Sequence, residues 1–179
     1  MAVSGCDLFQ TRDPQQPAQT KSSFNTPVTA DIVIDNLKSA IAEYNVDNYI
    51  RCFVDTAARP YEFIASQEIQ GNYPGVFSHW TLENERQYYV RMGQPAGGAP
   101  YLSDSTLSSI VGSDSVMYLM SYTLFFPHTR TDIPKVVQGN MQLSLGVNNQ
   151  GLWSIYRWQD FKTVSNSTWS LWKAVFSGS

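Results

Sequence analysis

The chain has 179 residues, of which 42% are hydrophobic and 13% aromatic, enough for one sizeable core, so a single domain with a tail is the default organisation. A net charge of -3 with only 12 Lys+Arg gives no basic field able to neutralise phosphates, which excludes nucleic acid as a natural partner and electrostatic docking on acidic membranes. No run approaches the roughly 20 apolar residues of a spanning helix, so membrane attachment would have to be covalent or through a partner.

The first feature in chain order is Cys6, one of two cysteines. Val3-Ser4-Gly5-Cys6 resembles a bacterial lipobox, where an apolar residue and two small residues precede the acylated cysteine. Behind it, TRDPQQPAQTKSSFNTP is rich in Pro, Gln and Thr and reads as a flexible tether. Residues 1–27 are therefore expected to hold the end of a signal sequence, the lipidated Cys6 and the tether, and residues 28–179 the folded domain. The basic and apolar parts of a signal peptide do not precede Val3, and the chain is read as beginning inside that signal. Several acyl chains, each contributing about 0.8 kcal/mol per buried CH₂, would hold the protein at the cell envelope, on the outer membrane or facing the periplasm. Asp7 leaves the choice of membrane open. Cys52, beside Phe53 in a helical pattern, reads as a small buried apolar residue, and a Cys6–Cys52 disulfide is not expected.

Within the domain, Val33, Leu37, Ile41 and Tyr44 recur at helical spacing behind Thr29, a good N-cap. Asn45 interrupts, and Val46, Tyr49, Ile50 and Phe53 resume in a second helix expected to end near Asp55. PYEFIAS is a short strand, followed by a loop at Gly71, Pro74 and Gly75. A third helix begins at Thr81, with Glu83 and Glu85 in its first turn, Arg91 in its last and Gly93 as its stop. After QPAGGAP, four segments rich in β-branched and aromatic residues, STLSSIVG, SVMYLMSYTLFF, KVVQGNMQLSLGV and GLWSIYRWQDF, predict long antiparallel strands. STWSLWKAVF predicts a terminal helix capped by Ser167 or Thr168. Helices first and a meandering sheet afterwards describe an α+β domain.

The order of NLKSAIAEYNVDNYIRCFVD, a short strand, HWTLENERQYY and long strands ending in GLWSIYRWQDF resembles the nuclear transport factor 2-like (cystatin-like α+β) superfamily. More narrowly, it is similar to bacterial lipoproteins of that fold, through Cys6 followed by DLFQTRDPQQP, the pattern Trp153, Ile155, Trp158, Asp160, and the segment Trp169 to Phe176. The resemblance implies a cone, with N-terminal helices packed on a curved antiparallel sheet that leaves a cavity at its wide end. Its members range from ketosteroid isomerases and dehydratases to adaptors, so the fold does not choose a function.

Catalysis in such a cone would need a general base in an apolar pocket. The aspartate that the isomerase relatives use there is absent. Near its position, at Tyr61 or Glu62, the sole acidic substitute is Glu62, which reads equally well as solvent-facing, the reading we favour. His79 and His128 are expected in surface loops, with Asp132 near His128. No nucleophilic triad, metal-ligand spacing or phosphate loop is present, so no cofactor, no metal and no catalytic residue is expected. Aromatics at strand spacing suggest a pocket or interface: Tyr61, Tyr118, Tyr122, Tyr156 and Trp158, with Tyr118 and Tyr122 on one strand face and Tyr156 and Trp158 sharing a face of the last strand. Met117, Leu119 and Phe125 on the opposite face call for a cover, either a homodimer or envelope-protein partner, or the C-terminal segment folding back through Trp169 and Trp172. Asn166-Ser167-Thr168 matches a glycosylation sequon and reads as incidental. The expected function is that of a lipid-anchored envelope protein with a binding or assembly role, the alternative being a cavity isomerase or hydratase.

Overall fold

The computed structural model describes residues 23–178. Cys6 and the tether up to residue 22 lie outside the described residues. Residues 23–27 already pack on the domain: Asn25 and the Asn36 side chain exchange two hydrogen bonds at 2.8 and 2.7 Å, and Trp153 N donates to Pro27 O at 2.7 Å.

Helix α1, Ala30–Ala42, starts where Thr29 Oγ1 accepts from Ile32 N, and buries Val33, Ile34, Leu37, Ala40 and Ile41 as one stripe. Tyr44, with φ 48°, breaks the helix in the left-handed region. Asn45 then caps α2, Val46–Arg51. This helix ends before the expected Asp55 because the following backbone has a better partner. Val54 N donates to Ile155 O and Ile155 N to Cys52 O, both at 2.9 Å, so that Phe53, just past the helical Cys52 cap, bridges to Ile155.

Strand β1, Glu62–Ile64, is followed by α3, Gln67–Asn72, a short helix where the sequence reads as strand end and loop. Helix α4, Leu82–Arg91, opens on a capping box between Thr81 and Asn84. Four long strands follow: β2, Tyr101–Val111; β3, Ser115–Phe125; β4, Val136–Val147; and β5, Trp153–Phe161. Strand β2 starts four residues before the expected STLSSIVG, since Tyr101 to Asp104 pair fully with β3 and Tyr101 stacks on Phe125 at 5.4 Å. The sheet order is β1-β5-β4-β3-β2, antiparallel from β2 to β5, with β1 parallel to β5. Helix α5, Trp169–Phe176, ends the fold. The predicted α+β class, with helices on a curved sheet, is the observed one.

Two register shifts, at Thr106/Ser108 and Ser144/Leu145, add to the curl of the sheet. The second corrects a face assignment. Ile155 lies opposite Leu145 and Arg157 opposite Ser144, so Tyr156 is an inserted residue. Ile155 and Trp158 face the core while Tyr156 is only half-buried, and Tyr156 and Trp158 do not share a face as strict alternation predicts.

The core lies on the concave face, where Val116, Met120, Tyr122 and Leu124 of β3 meet Met141, Leu143 and Leu145 of β4 and the helices. Helix α5 enters that same face. Trp169 stands edge-on to Trp158 at 4.4 Å and 5.5 Å from Tyr122, and Trp169, Trp172, Lys173, Ala174 and Phe176 are all buried. The C-terminal segment therefore fills the cone and does not cover the outer face of β3, because its apolar stripe finds a deeper site among the inward aromatics.

Candidate functional site

The centre of the cone, at whose wide end the resemblance implies a cavity, is filled by side chains and holds a buried ion pair. The stripe of α4 that faces inward is Glu85, Tyr88 and Tyr89, continued by the C-cap residue Met92, at helical spacing. The inward stripe of α5 is Trp169, Trp172, Lys173 and Phe176. One carboxylate and one ammonium thus point at each other from two apolar faces. Both residues have 0% exposed surface, and Lys173 Nζ donates to Glu85 Oε1.

The carboxylate has further donors. Tyr61 Oη donates to Oε1 at 2.6 Å, Trp80 Nε1 to Oε1 at 2.8 Å, and Tyr49 Oη to Oε2 at 3.1 Å. Since the single hydroxyl proton of Tyr49 goes to Glu85, the 2.8 Å contact between the Tyr49 and Tyr88 hydroxyls has Tyr88 as donor. Tyr88 in turn accepts from Trp169 Nε1 at 3.0 Å. The ammonium lies over aromatic faces, 3.7 Å from the Phe63 ring centre, 4.0 Å from Trp158, 5.4 Å from Tyr88 and 5.8 Å from Trp80. Burial pushes the Lys173 ammonium down to about 8, with the Glu85 charge opposing the shift. Burial and the same carboxylate hold the Tyr49, Tyr61 and Tyr88 phenols well above their ordinary value.

A second buried carboxylate, Asp160 on β5, serves the start of α5. Tyr122 Oη donates to Oδ1 at 2.8 Å, and Ser170 donates to Oδ2 through its backbone N at 2.8 Å and through its hydroxyl. Tyr122 Oη also accepts from Trp169 N at 2.7 Å. Thr168, the N-cap residue, makes no side-chain cap bond, so Asp160 and Tyr122 satisfy the free backbone donors in its place. A Cβ on Gly139 would meet Phe161 O at 2.5 Å and Tyr122 Oη at 3.0 Å, so glycine keeps room for this arrangement.

The residues singled out in the sequence are dispersed. Tyr61 and Trp158 belong to the central cluster and Tyr122 to the Asp160 group. Tyr118 donates to Asp31 Oδ1 at 2.6 Å beside a depression of about 160 Å³ between α1 and the sheet. Tyr156 lies 4.5 Å beneath the Arg59 guanidinium at another, of about 250 Å³. The larger surface depressions, of about 370 and 310 Å³, are lined by neither Glu85 nor Lys173. Glu62 is not a base inside the cone: strand alternation turns Phe63 inward and leaves Glu62 58% exposed, paired with Arg157 Nε at 2.8 Å.

His79 is exposed, as expected. His128 is not a surface residue. It is fully buried, 5.9 Å from the Trp172 ring and 5.2 Å from that of Phe176, and its Nε2 donates to Pro134 O at 3.2 Å, because α5 packs over the loop that carries it. Asp132 pairs with Arg130 and makes no bond to the histidine. Cys52 is buried, and its thiol is pushed up to about 12 by burial. Among the described residues no group of three or more metal-ligating side chains is found, and no helix is long and apolar enough to cross a membrane.

In the sequence Glu85 reads as an acidic first-turn residue that complements the helix dipole, and Lys173 only as part of the segment Trp169 to Phe176. The signal was present: each is a charged residue on an otherwise apolar, aromatic stripe, and the two are opposite in sign.

No family profile matches the sequence, and no curated protein is similar to it. Solved structures share the fold. A scytalone dehydratase-like protein from Novosphingobium aromaticivorans aligns at TM-score 0.58 and 12% identity over 76% of this chain and 83% of its own. A conserved protein from Planctomyces limnophilus aligns at 0.57 and 10% over 73% and 91%. A nuclear transport factor 2-like superfamily protein from Salmonella enterica aligns at 0.55 and 8% over 75% and 88%. At these identities the likeness shows the nuclear transport factor 2-like fold and nothing about activity.

Proposed function

We propose that this protein is a lipid-anchored component of the bacterial cell envelope, held through Cys6, whose domain works by binding or assembly and not by catalysis. The anchor rests on the Val3-Ser4-Gly5-Cys6 pattern, and the observation that carries the binding-or-assembly part is the filled cone. Where a member of this fold that acts on a small molecule needs an open pocket, this chain inserts α5 and closes the space around Glu85 and Lys173. The acid–base alternative has no accessible base there, since Glu62 faces solvent.

Assembly then falls to the outside. Leu107 and Ile110 of edge strand β2, toward its hairpin with β3, are 55% and 64% exposed. Ile110 pairs across the sheet with Met117, extending an apolar strip toward Leu119 on the convex face. A second copy or an envelope protein seated there would bury it.

The test is native isolation from the source membrane followed by intact-mass measurement. A mature chain beginning at acylated Cys6, whose envelope partner is lost on Ile110→Lys, is the expected result. An unmodified soluble chain carrying a bound small molecule would overturn the reading.

A further inference from the structure

We infer that the outer face of the sheet carries a carboxylate receptor, built on Arg59 and Tyr156, that takes an acidic side chain of a partner polypeptide. The inference rests on reading the outside of the domain as its binding surface and names what that surface recognises. It starts from an arginine without an acceptor. Arg51, Arg86, Arg91, Arg130 and Arg157 each bond to or pair with an oxygen. Among the described residues the Arg59 guanidinium makes neither a hydrogen bond nor an ion pair, and its one contact of this kind is the Tyr156 ring, 4.5 Å from Cζ.

The fold keeps that guanidinium in place. Tyr156 is the inserted residue of the β5 bulge, and a bulge re-aims the side chain it inserts, here beneath Arg59. Gly146 of β4 supplies the space. A glycine inside a strand weakens it and marks close approach by another group. A Cβ there would stand 2.2 Å from Arg59 Nη1, and the nearest atoms it would meet all belong to side chains. Asp55, the carboxylate of the loop that carries Arg59, is turned away to accept from Ala57 N at 2.9 Å. Stacking occupies the face of the guanidinium and leaves its in-plane N–H donors available.

Arg59 lines a depression of about 250 Å³ with apolar walls of Val54, Ala58 and Val147 and the uncharged polar groups of Asn149 and Ser154. Among the described residues Arg59 is its one charged group. A single planar cation with a fork of donors matches a single planar monoanion, and the apolar walls suit a short aliphatic stem. A phosphate dianion would be left half-neutralised. The depression lies outside the cone: Leu145 and Ile155 are an inward pair, so the neighbouring pair Gly146 and Ser154 faces outward. It also adjoins the apolar strip. Met117 pairs with Ser144, which lies about 7 Å along β4 from Gly146. A partner seated on Ile110 and Met117 therefore brings an aspartate or glutamate within reach of Arg59.

The experiment uses the full-length chain. Backbone amide shifts of Asn149 and Ser154 are followed by NMR during titration with Nα-acetyl-glutamate α-methylamide, with the matching glutamine compound as neutral isostere, with sodium phosphate, and with sodium chloride at equal ionic strength. A saturable shift specific to the glutamate compound is expected. Its affinity should fall about tenfold or more in Arg59→Gln, and also in Gly146→Ala, which keeps the charge but displaces the guanidinium. Equal response to the glutamine compound or to chloride, or an unchanged affinity in Arg59→Gln, overturns the receptor and leaves Arg59 as a loop arginine stacked on a ring. Tighter binding of phosphate overturns the carboxylate class. The two readings fail separately: an envelope partner retained by Ile110→Lys counts against the β2 strip, and an absent glutamate response against Arg59.

Discussion

Glu85 and Asp160 are two fully buried carboxylates that address the same helix by different physics. Glu85 meets α5 through a side-chain cation and is further held by two phenols and an indole. Asp160 meets it through backbone and hydroxyl donors at the helix start, with no cation bonded to it. One charge is neutralised by its opposite, whereas the other is solvated by dipoles, including the positive end of a helix. Accordingly, burial raises the Asp160 carboxyl while the bonds from Ser170, Tyr122 and Thr168 oppose it. The comparison teaches that α5 is fixed at its start by capping and along its length by charge.

Removing the charged partner separates the two most sharply. Glu85→Ala strands the Lys173 ammonium in an apolar cage, a loss of about 3–5 kcal/mol in urea-unfolding free energy. The double variant Glu85→Leu/Lys173→Met, which removes both charges, should recover most of that. A double variant as unstable as the single one would mean that packing, and not charge, holds the helix.

Asp160→Asn should cost less, about 1–3 kcal/mol, because it leaves neutral donors and not an ion without an acceptor. The loss should be local. Amide exchange at Ser170 should speed up while α4 stays protected. Uniform loss of protection over both helices would merge the two carboxylates into one cooperative unit.

A pH series tests the charged partner without mutation. Lys173 titrates at about 8 in the fold against 10.5 for an ordinary lysine, so between these values the unfolded chain binds more protons and stability rises with pH. Tyr49, Tyr61, Tyr88 and Tyr122 act in the opposite sense. Each is held above the ordinary 10.0, so the unfolded chain ionises first and stability falls above that pH. The Cys52 thiol, pushed up to about 12 from 9.0, acts in the tyrosines' sense from pH 9, so denaturation at a series of pH values should show a rise from 8 and a maximum at about pH 9. A flat profile from 8 to about 9 would remove the argument for a depressed lysine.

How far these features were legible differs along the chain. Period and capping placed α1 and α4, because Thr29 and Thr81 make the side-chain bonds their positions suggest. The long strands were equally plain. Helix α3 was not, since six residues containing a glycine carry no period of their own and are held by tertiary contacts: Ile69 is buried, and Ser66 N, just before the helix, donates to Ser170 Oγ at 2.9 Å. The burial of His128 is hidden in the sequence for a related reason. A loop residue reads as exposed unless the element that later covers it is known, and α5 lies 41 residues on from it at its start. The centre of the cone failed differently. Glu85 and Lys173 are 88 residues apart, and only the fold pairs them, although each already broke the pattern of its own stripe.

The smallest effect belongs to the carboxylate that the sequence put forward. Glu62 and Glu85 both approach β1, but from opposite sides: Glu62 stands on the outward face beside Arg157, with the two side chains 58% and 39% exposed, while Phe63 between them turns inward over Lys173. Water screens an exposed pair and its long side chains lose entropy on pairing, so Glu62→Ala should change stability by less than about 1 kcal/mol and leave the penalty of Glu85→Ala unaltered. A larger loss, or a changed penalty, would place Glu62 in electrostatic contact with the cone across the strand. In that event the inward and outward faces of β1 would not be separate environments, and the contrast between paired and dipole-solvated carboxylates would have to include a third charge.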